Sequence, residues 1–396
     1  MIIRKIFLFF FYSPILILMR VIYPLVSIKL HPINSQRLGH FLADVESFLL
    51  EQKHNLNKER WKINIFIHFY LPDPESVQHV CNNQVDTMIR RVIFIMPNFL
   101  AYPLYYFNNL FSDKDKFIAK VILPGTDPMG LYDLYPPRLY INKEEVNKGE
   151  EMLSKIGIPK KSKFVCLNVR DNAYLKKNFP KKNFNYHDYR NWKISNFEEA
   201  IKYLISEKIY VIRVGKKSEE KLNIESKYFI DVTNKILPDL FDVYVGSHCY
   251  FCISTQSGFD AIPYVFRKPI AYLVVPIAVF HTSSKRFMLT TKYHLDANEK
   301  ILSISDIFKH DCHYLLKTEE FMKKKITLKD LSSLEIKIFV RDMLRYVQNN
   351  LELDDKHQEQ KNFWALFEKY VQKDPILKKK MFIYKAIYNP YLLKKN

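Results

Sequence analysis

Short apolar runs alternate with amphipathic stretches along most of the chain. The runs are rich in Val, Ile, Phe and Tyr and nearly continuous, which is typical of strands buried on both faces. They predict strands at residues 62–69, 91–96, 117–123, 164–169, 209–215, 249–255 and 271–275. The stretches with helical periodicity predict helices at residues 41–51, 143–156, 196–207, 239–245, 331–349 and 358–372. This alternation indicates an α/β fold built from βαβ units with parallel sheets.

The predicted elements form two blocks. A turn-rich region with several Pro and Gly residues, and then a helix ending near Gly157, separate them, so we expect the domain boundary between about 140 and 160. The pattern predicts a first α/β domain over residues 32–150 and a second over residues 151–325. Beyond residue 325 the pattern turns helical, which predicts a helical C-terminal extension over residues 326–396.

The N-terminal segment, residues 1–31, is mostly apolar and aromatic and carries four basic residues but no acidic one. Two prolines and Arg20 interrupt it, whereas an uninterrupted spanning helix needs about 20 apolar residues. No small-residue cleavage site follows it. We expect the segment to lie in an anionic leaflet at the cytoplasmic face of the inner membrane, peripheral or N-terminally anchored. The alternative is that it forms the first buried elements of a domain.

Composition narrows the function classes. The 396 residues include 61 Lys+Arg against 42 Asp+Glu, a net charge of +19, and 48% of them are hydrophobic. Such apolar content excludes a disordered or fibrous chain. Only 14 of the basic residues are Arg, so the positive charge is mainly a Lys excess. No nucleic-acid recognition motif accompanies it, and we predict no nucleic-acid partner.

The cysteines and the common motifs exclude several kinds of site. Five cysteines are an odd number, typical of reduced thiols in a cytosolic protein. Cys249 and Cys252 form a Cys-x-x-Cys pair, but without a second pair we interpret them as buried strand thiols rather than as metal or redox groups. The sequence contains no P-loop, GxGxxG, HExxH or GxSxG motif. We therefore predict neither a cofactor nor a metal.

Charged and small polar residues stand at the carboxyl ends of three predicted strands, where open α/β sheets bind ligands. They are Arg170 and Asp171 after the first strand, Arg213, Gly215 and Lys216 in the second, and Ser254, Thr255, Gln256, Ser257 and Gly258 after the third. Arginines and a helix N-terminus can together bind a diphosphate. The alternatives are a surface salt bridge for Arg170, an edge-strand cation for Arg213 and plain turn chemistry for Ser257 and Gly258.

Two further polar clusters stand outside these strand ends. One is a loop in the second block, predicted to contact substrate, with Tyr186, His187, Arg190 and Asn191. The other precedes the first amphipathic helix and contains Arg37 and His40. His40 is the candidate general base. A solvated loop and a structural histidine are the alternatives.

Several of these segments together resemble a bacterial family. The motifs are Arg37-Leu-Gly-His40, Phe164-Val-Cys-Leu-Asn-Val-Arg-Asp171, Tyr186-His-Asp-Tyr-Arg-Asn191, Tyr210-Val-Ile-Arg-Val-Gly-Lys216, Phe251-Cys-Ile-Ser-Thr-Gln-Ser-Gly258, Arg267-Lys-Pro269 and, near the end, Gln360-Lys-Asn-Phe-Trp364. In order and spacing they are similar to motifs of a largely uncharacterised family of glycosyltransferases encoded in surface-polysaccharide loci. The family's usual histidine in the strand motif is Asn168 here, so catalysis is not assigned to that position.

The resemblance implies a GT-B-like architecture, in which two Rossmann-like domains face each other across a cleft. The first would bind the acceptor and the second the nucleotide sugar. The implied activity is metal-independent transfer of a hexosyl or related sugar to a surface glycan of the lipopolysaccharide or capsule type, or to a lipid-linked acceptor. The resemblance does not settle which residue is the base. From the residues themselves we predict that Arg37, His40 and Arg170 are catalytic, with His40 as the base, and that Arg170 also binds the donor with the other strand-end residues. The alternative is a non-catalytic glycan- or membrane-binding scaffold of the same fold.

Overall fold

The backbone of this chain falls into two compact units. The computed structural model describes residues 2–55, 61–69, 80–119, 127, 129–172, 183, 185–277, 283–352, 358–371 and 385–389. Unit 1 consists of Met1–Gly125 with Pro137–Tyr140, and unit 2 consists of Thr126–Pro136 with Ile141–Asn396. The final passage into unit 2, at Ile141, lies at the start of the interval in which the sequence pattern places the domain boundary.

Unit 1 is built on two long parallel strands, β1 (Ser27–Asn34) and β2 (Lys62–Phe69), with Ser27 opposite Lys62. Its helices are α1 (Ile2–Ile22), α2 (Leu38–Asn55), α3 (Asn83–Arg90) and α4 (Asn98–Asn108). Because α2 is part of the crossover between two parallel strands, its N-terminus begins beside the carboxyl end of β1.

Two strands that the sequence pattern predicts in unit 1 are single bridges in the described residues. Ile95 pairs with Phe66 and Ile118 pairs with Leu30. The prediction of full strands was therefore wrong for residues 91–96 and 117–119, and residues 120–123 lie outside the described part of the chain. Residues 91–93 still close the last turn of α3 through hydrogen bonds to Met88 and Ile89, and Pro97 has no N–H to donate. Few backbone groups of residues 91–96 besides those at Ile95 are therefore left to pair with a strand.

One face of α1 belongs to the core of unit 1. Tyr12, Leu16 and Met19 are at most 5% exposed and pack with Leu30 of β1 and Ile67 of β2. Residues 1–31 thus contribute α1 and part of β1 to unit 1, as in the alternative interpretation of this segment. No helix in the described part of the chain combines the length and the apolar character needed to cross a bilayer.

Unit 2 contains a parallel sheet, so the predicted α/β class with a parallel sheet is confirmed. Its strands are β3 (Phe164–Asn168), β4 (Tyr210–Arg213), β5 (Phe229–Asp231), β6 (Phe251–Ser254), β7 (Ile270–Leu273) and β8 (Phe287–Thr290), then β9 (Tyr293–Leu295), β10 (Thr327–Lys329) and β11 (Ile387–Tyr388). Seven described strands form the sheet in the order β11-β8-β7-β6-β3-β4-β5, with every pair parallel. Strands β9 and β10 pair separately and antiparallel.

The sheet order locates a switch point in unit 2. From β5 to β8 the strands follow the order 3-2-1-4-5-6 of doubly wound sheets, in which the connections change direction between the first and fourth strands. Here these strands are β3 and β6, which pair in register from Val165 opposite Phe251 to Asn168 opposite Ser254. Their carboxyl ends therefore form the crevice where such sheets bind ligands.

Helices surround the sheet of unit 2. They are α5 (Leu131–Leu134), α6 (Lys143–Lys155), α7 (Glu198–Ser206), α8 (Asp239–His248), α9 (Ala261–Val265), α10 (Ile304–Lys309), α11 (Thr318–Lys323), α12 (Ser333–Gln348) and α13 (Gln358–Val371). The predicted helical extension over residues 326–396 contains α12 and α13 but also β10 and β11. All five cysteines are free thiols, and Cys249 and Cys252 are buried, which confirms their interpretation as buried thiols.

Candidate functional site

Hydrogen bonds join the segments that follow β3 and β6 at the switch point. The Thr255 N–H donates to the Asn168 carbonyl at 3.2 Å, and the Arg170 N–H donates to Thr255 Oγ1 at 2.7 Å. The Ser257 hydroxyl donates to Asn168 Oδ1, while Asn168 Nδ2 donates to the Val214 carbonyl at 3.2 Å. These bonds fix the backbone where the chain leaves each strand. They therefore fix the position from which the Arg170 side chain extends.

A buried carboxylate, Asp260, organises the turn after β6. It accepts hydrogen bonds from the Ser254 hydroxyl at 2.7 Å and from the Ser257 N–H at 3.0 Å. Burial raises its pKa to about 6, although these bonds and the charge of Arg190 oppose the rise. Gln256, at φ +62°, accepts the Val275 N–H at 3.1 Å. The predicted donor-binding residues Ser254, Gln256 and Ser257 thus serve first to build this turn, and Gly258 begins its short 3₁₀ helix.

Two arginines lie close together beside this turn. Burial, followed by the neighbouring charge of Arg190, lowers the pKa of Arg170 to about 10, although Tyr189, Asp188 and Asp171 oppose the shift. Arg170 Nε and Nη2 and Arg190 Nε are inaccessible and have no hydrogen-bond partner among the described residues. Buried donors are normally paired, and two adjacent guanidinium groups repel each other. An anion between them would pair these donors and remove the repulsion.

The loop over residues 185–192 brings Arg190 to this position. Its end is held by a hydrogen bond from the Trp192 N–H to the Arg170 carbonyl at 3.1 Å. Lys292, which follows β8, donates to the Asn191 carbonyl, lies 2.8 Å from Asp330 and packs its ammonium over the Trp192 ring. The predicted substrate loop is therefore anchored to the strand ends, and we call Asn168, Arg170, Arg190, Thr255, Ser257 and Asp260 the switch-point site.

Other residues of the same loop have roles on its outer side. Asp188 accepts from Asn172 Nδ2 at 2.5 Å and from Asn191 Nδ2 at 2.9 Å. Tyr186 and His187 place their rings 3.9 Å apart and are half-buried. Asn191 is thus held by its neighbours, whereas its Oδ1 is buried without a partner among the described residues.

The arginine of β4 lies in an internal network rather than at the surface of the site. Arg213 is 2% exposed, pairs with Asp231 of β5 at 3.0 Å and donates to the Ser218 hydroxyl at 2.5 Å. That hydroxyl donates in turn to Asp171 at 2.7 Å. Two of the predicted donor-binding residues, Arg213 and Asp171, are therefore connected to each other through Ser218, and both support the loop after β4.

The remaining predicted residues of unit 2, Gly215 and Lys216, follow β4. Gly215 has φ +143°, a conformation that favours glycine, and a Cβ there would lie 3.8 Å from Asn168 Nδ2. Lys216 reaches Asp239 at the start of α8, at 3.7 Å. Both residues lie on the same edge of the sheet as the switch-point site, since that edge collects the carboxyl ends of all parallel strands.

Unit 1 has its own polar cluster at the carboxyl edge of β1 and β2. His40, in the first turn of α2, is about one-third exposed and has Nδ1 3.3 Å from Asp44 Oδ2. Arg37 precedes the helix and is exposed. A carboxylate at this position can orient the imidazole, as a general base requires.

A buried histidine that the sequence did not single out lies at the same edge of unit 1. His68, near the end of β2, has Nδ1 2.5 Å from the Ser35 hydroxyl and Nε2 3.2 Å from Asp86. Burial raises the pKa of Asp86, but hydrogen bonds from His68 and Arg90 and their charges outweigh it and lower the pKa. His68 was absent from the sequence-based site because its strand was interpreted as core.

Asp260 and Lys292 were also missed. Asp260 stands two residues after Gly258, and the spacing Ser257-x-x-Asp260 is that of a capping box, a signal that could have identified it. Lys292 follows β8, which was not predicted, and carried no sequence signal. No three His, Cys, Asp or Glu side chains in the described part of the chain are arranged to hold a metal ion, and metal independence stays a prediction.

Comparison with known proteins gives only remote likenesses. No protein-family model matches the sequence, and no curated protein matches it. Among solved structures, E. coli ADP-heptose LPS heptosyltransferase II is 13% identical with a TM-score of 0.41, over 66% of this chain and 90% of that chain. A glycosyl transferase family 9 protein from Veillonella parvula is 12% identical with a TM-score of 0.45, over 81% and 98%. At these values the likeness is too remote to assign an activity to this chain.

Proposed function

We propose that this chain is a glycosyltransferase that moves a sugar from a nucleotide-sugar donor to a surface glycan or a lipid-linked acceptor. The observation that carries the proposal is the pair Arg170 and Arg190 at the switch point of a parallel sheet, whose buried N–H donors have no partner among the described residues. The diphosphate of a nucleotide sugar matches this pair in charge and in its many acceptor oxygens. Doubly wound sheets bind their ligands at the carboxyl ends of the strands beside the switch point, which is where the sugar and the nucleoside would lie.

The chemistry would proceed by transfer of the glycosyl group between two oxygens. An acceptor hydroxyl attacks the anomeric carbon, the bond from that carbon to the diphosphate oxygen breaks, and the hydroxyl proton passes to a base. Arg170 and Arg190 would stabilise the negative charge that develops on the leaving diphosphate, in the role that a metal ion has elsewhere. His40, oriented by Asp44, is the proposed base. We propose that Arg37 contacts the acceptor.

Calorimetric titration with ADP, UDP, GDP, CDP and dTDP tests the donor site. We expect wild-type protein to bind at least one of them, and the variants Arg170→Met and Arg190→Ala to bind it at least about tenfold more weakly, because each loses charge-assisted bonds to phosphate. Arg345→Ala removes an exposed arginine of α12 and is the matched control, expected to bind as wild type. The donor site would be excluded if none of the five nucleotides binds, or if Arg170→Met and Arg190→Ala bind the nucleotide as tightly as wild type does.

Turnover separates the enzyme from a non-catalytic scaffold of the same fold. With a nucleotide sugar that binds and a membrane fraction as acceptor, we expect release of the nucleoside diphosphate by wild type. In His40→Asn the release should fall about a hundredfold or more while nucleotide binding is retained. Full turnover in that variant would exclude His40 as the base, and binding without any turnover would favour the scaffold.

A further inference from the structure

Unit 1 exposes a broad apolar surface on two helices. On α1 the side chains of Phe7, Phe10, Phe11, Ile17, Leu18 and Val21 are 54–71% exposed. At 100° per residue they fall on one arc of the helix, opposite the buried Tyr12, Leu16 and Met19. On α4, Phe99, Tyr102 and Tyr106 are 75%, 47% and 43% exposed. We call these nine side chains the apolar plate.

The two helices present these side chains on the same side of unit 1. Phe9 of α1 contacts Phe107 of α4 with ring centroids 5.5 Å apart, and the Tyr12 hydroxyl donates to the Phe99 carbonyl at 3.4 Å. Their inner faces enter one core cluster with Leu30 of β1 and Ile67 of β2. Since both inner faces point to the same cluster, both outer faces point away from it. Nine large apolar side chains exposed on two adjacent helices are typical of a binding surface.

Lysines gather beside the plate where α1 ends. Lys29 Nζ donates to the Lys116 carbonyl at 2.5 Å, and the Lys116 ammonium lies 5.9 Å from the Tyr23 ring centre. Burial, and then the charge of Lys62, lowers the pKa of Lys29, so these two ammonium groups are also close. Lys114 is exposed on the same turn as Lys116. Residues 1–31 contain no acidic residue, but Asp113 pairs with Arg20 at 2.7 Å and Asp115 lies between Lys114 and Lys116. The lysines Lys29, Lys62, Lys114 and Lys116 outnumber these two carboxylates, so the border of the plate carries a net positive charge.

We infer that the apolar plate lies on a bilayer surface that carries anionic headgroups. The exposed aromatic and aliphatic side chains would enter the headgroup–acyl boundary, while the lysines contact the headgroups. Because the inner face of α1 is buried in unit 1, the helix lies along the surface instead of crossing it. A second copy of the chain would cover the plate but leave the lysines without an anionic partner. This inference deepens the proposed function. It rests on that function in one respect, because the membrane would present the acceptor of the proposed transfer.

Vesicle co-sedimentation tests the inference without measuring turnover, so it can fail separately from the donor site. The full chain is mixed with vesicles of phosphatidylcholine alone or of phosphatidylcholine with phosphatidylglycerol. We expect stronger binding to the anionic vesicles and release from them by salt. Phe10→Asp should weaken that binding about tenfold or more, the effect of losing one buried aromatic side chain. Ile236→Asp changes a fully exposed side chain of unit 2 and should bind as wild type.

Charge is tested by a second pair of variants. Lys114→Glu with Lys116→Glu should reduce binding to anionic vesicles while leaving binding to phosphatidylcholine unchanged. Lys155→Glu with Lys221→Glu makes the same charge change at exposed positions of unit 2 and should have a smaller effect. Circular dichroism and nucleotide binding report whether the variants fold. Three results would overturn the inference. They are the absence of binding to anionic vesicles, binding of Phe10→Asp to these vesicles as strong as that of wild type, and a concentration-dependent dimer of wild type that Phe10→Asp abolishes.

Discussion

At the scale of single residues, the switch-point site shows an arrangement that costs stability in the free protein. Arg170 has Nε and Nη2 buried without described partners, and its neighbour Arg190 carries the same charge. Unpaired buried donors and adjacent like charges both destabilise a fold. Strain of this kind is expected where a ligand supplies the missing partners, because binding then recovers the free energy that folding lost.

Replacing Arg170 by methionine separates the cost of this side chain to folding from its contribution to anion binding. Met keeps most of the side-chain length but removes the charge and the unpaired donors, so Arg170→Met should increase the free energy of unfolding by about 1–3 kcal/mol. A nucleoside diphosphate that raises the melting temperature of wild type should then have little effect on the variant. Thermal and urea unfolding with and without the nucleotide measure both quantities.

The control for that variant is Arg345→Met, at an exposed position of α12. It should change the free energy of unfolding by no more than about 0.5 kcal/mol. The nucleotide should raise its melting temperature as it does in wild type. A variant at Arg170 that is clearly less stable than wild type would mean that its guanidinium makes favourable contacts in the free protein. The anion assignment would then lose its main support.

At the strand ends of unit 2, residue positions could be predicted from the sequence where the strand before them was recognised. Arg170 and Thr255 follow strands with clear apolar runs, and they lie at the switch point. Arg213 was placed at the right strand end, yet its partner Asp231 belongs to β5, a strand of only three residues with half-buried side chains. Without β5, the pairing that directs Arg213 into an internal network could not be seen.

At the scale of elements, the contact between α6 and α8 depends on one glycine. A Cβ at Gly149 of α6 would lie 2.0 Å from Cδ2 of Tyr244 in α8, far inside van der Waals contact. Glycine normally costs a helix interior about 1 kcal/mol relative to alanine. Here that cost is outweighed, because the two helices approach more closely than any Cβ would allow.

Gly149→Ala should therefore destabilise unit 2 in spite of alanine's higher helix propensity. We expect a loss of about 1–3 kcal/mol in the free energy of unfolding, since the Tyr244 ring must move out of its packed position. Asn147→Ala, at an exposed position two residues earlier in α6, should be neutral or slightly stabilising. Equal urea midpoints for the two variants would show that the ring adapts freely.

Elements were predicted well where periodicity alone decides and poorly where a neighbour decides. The strand runs at 164–169, 209–215, 249–255 and 271–275 correspond to β3, β4, β6 and β7, since each is apolar on both faces. Strand β1 was missed because it follows an apolar segment and contains Pro32. Strand β11 has two residues and exists through pairing with β8 and with the Gln360 side chain, which a local pattern cannot show.

At the scale of the whole molecule, buried ionisable groups are distributed differently between the two units. In unit 1, burial lowers the pKa of His31 to about 4, with Lys29 and Lys62 adding to the effect and a hydrogen bond to Asn64 opposing it. In unit 2, burial lowers the pKa of His294 to about 4. Unit 2 also contains Asp242 and Asp260, and burial raises the pKa of each to about 6.

These shifts have opposite signs for stability. A histidine whose pKa falls from 6.5 to about 4 on folding stabilises the protein fully above pH 6.5, and this stability is lost as the pH falls toward 4. A carboxyl whose pKa rises to about 6 on folding acts in the other direction, because folding becomes less costly as it is protonated below pH 6. Each shift corresponds to at most about 3 kcal/mol.

Acidification from pH 7 to pH 5 should therefore destabilise unit 1 more than unit 2, in which the carboxyl groups offset His294. Hydrogen exchange measured by mass spectrometry at the two pH values, corrected for intrinsic rates, should show protection lost mainly in peptides of β1 and β2. In His31→Gln the loss in unit 1 should shrink, since glutamine does not titrate, whereas His310→Gln, an exposed histidine of unit 2, should leave it unchanged. Equal loss of protection in both units, or a wild-type response in His31→Gln, would contradict the assignment of acid sensitivity to this buried imidazole.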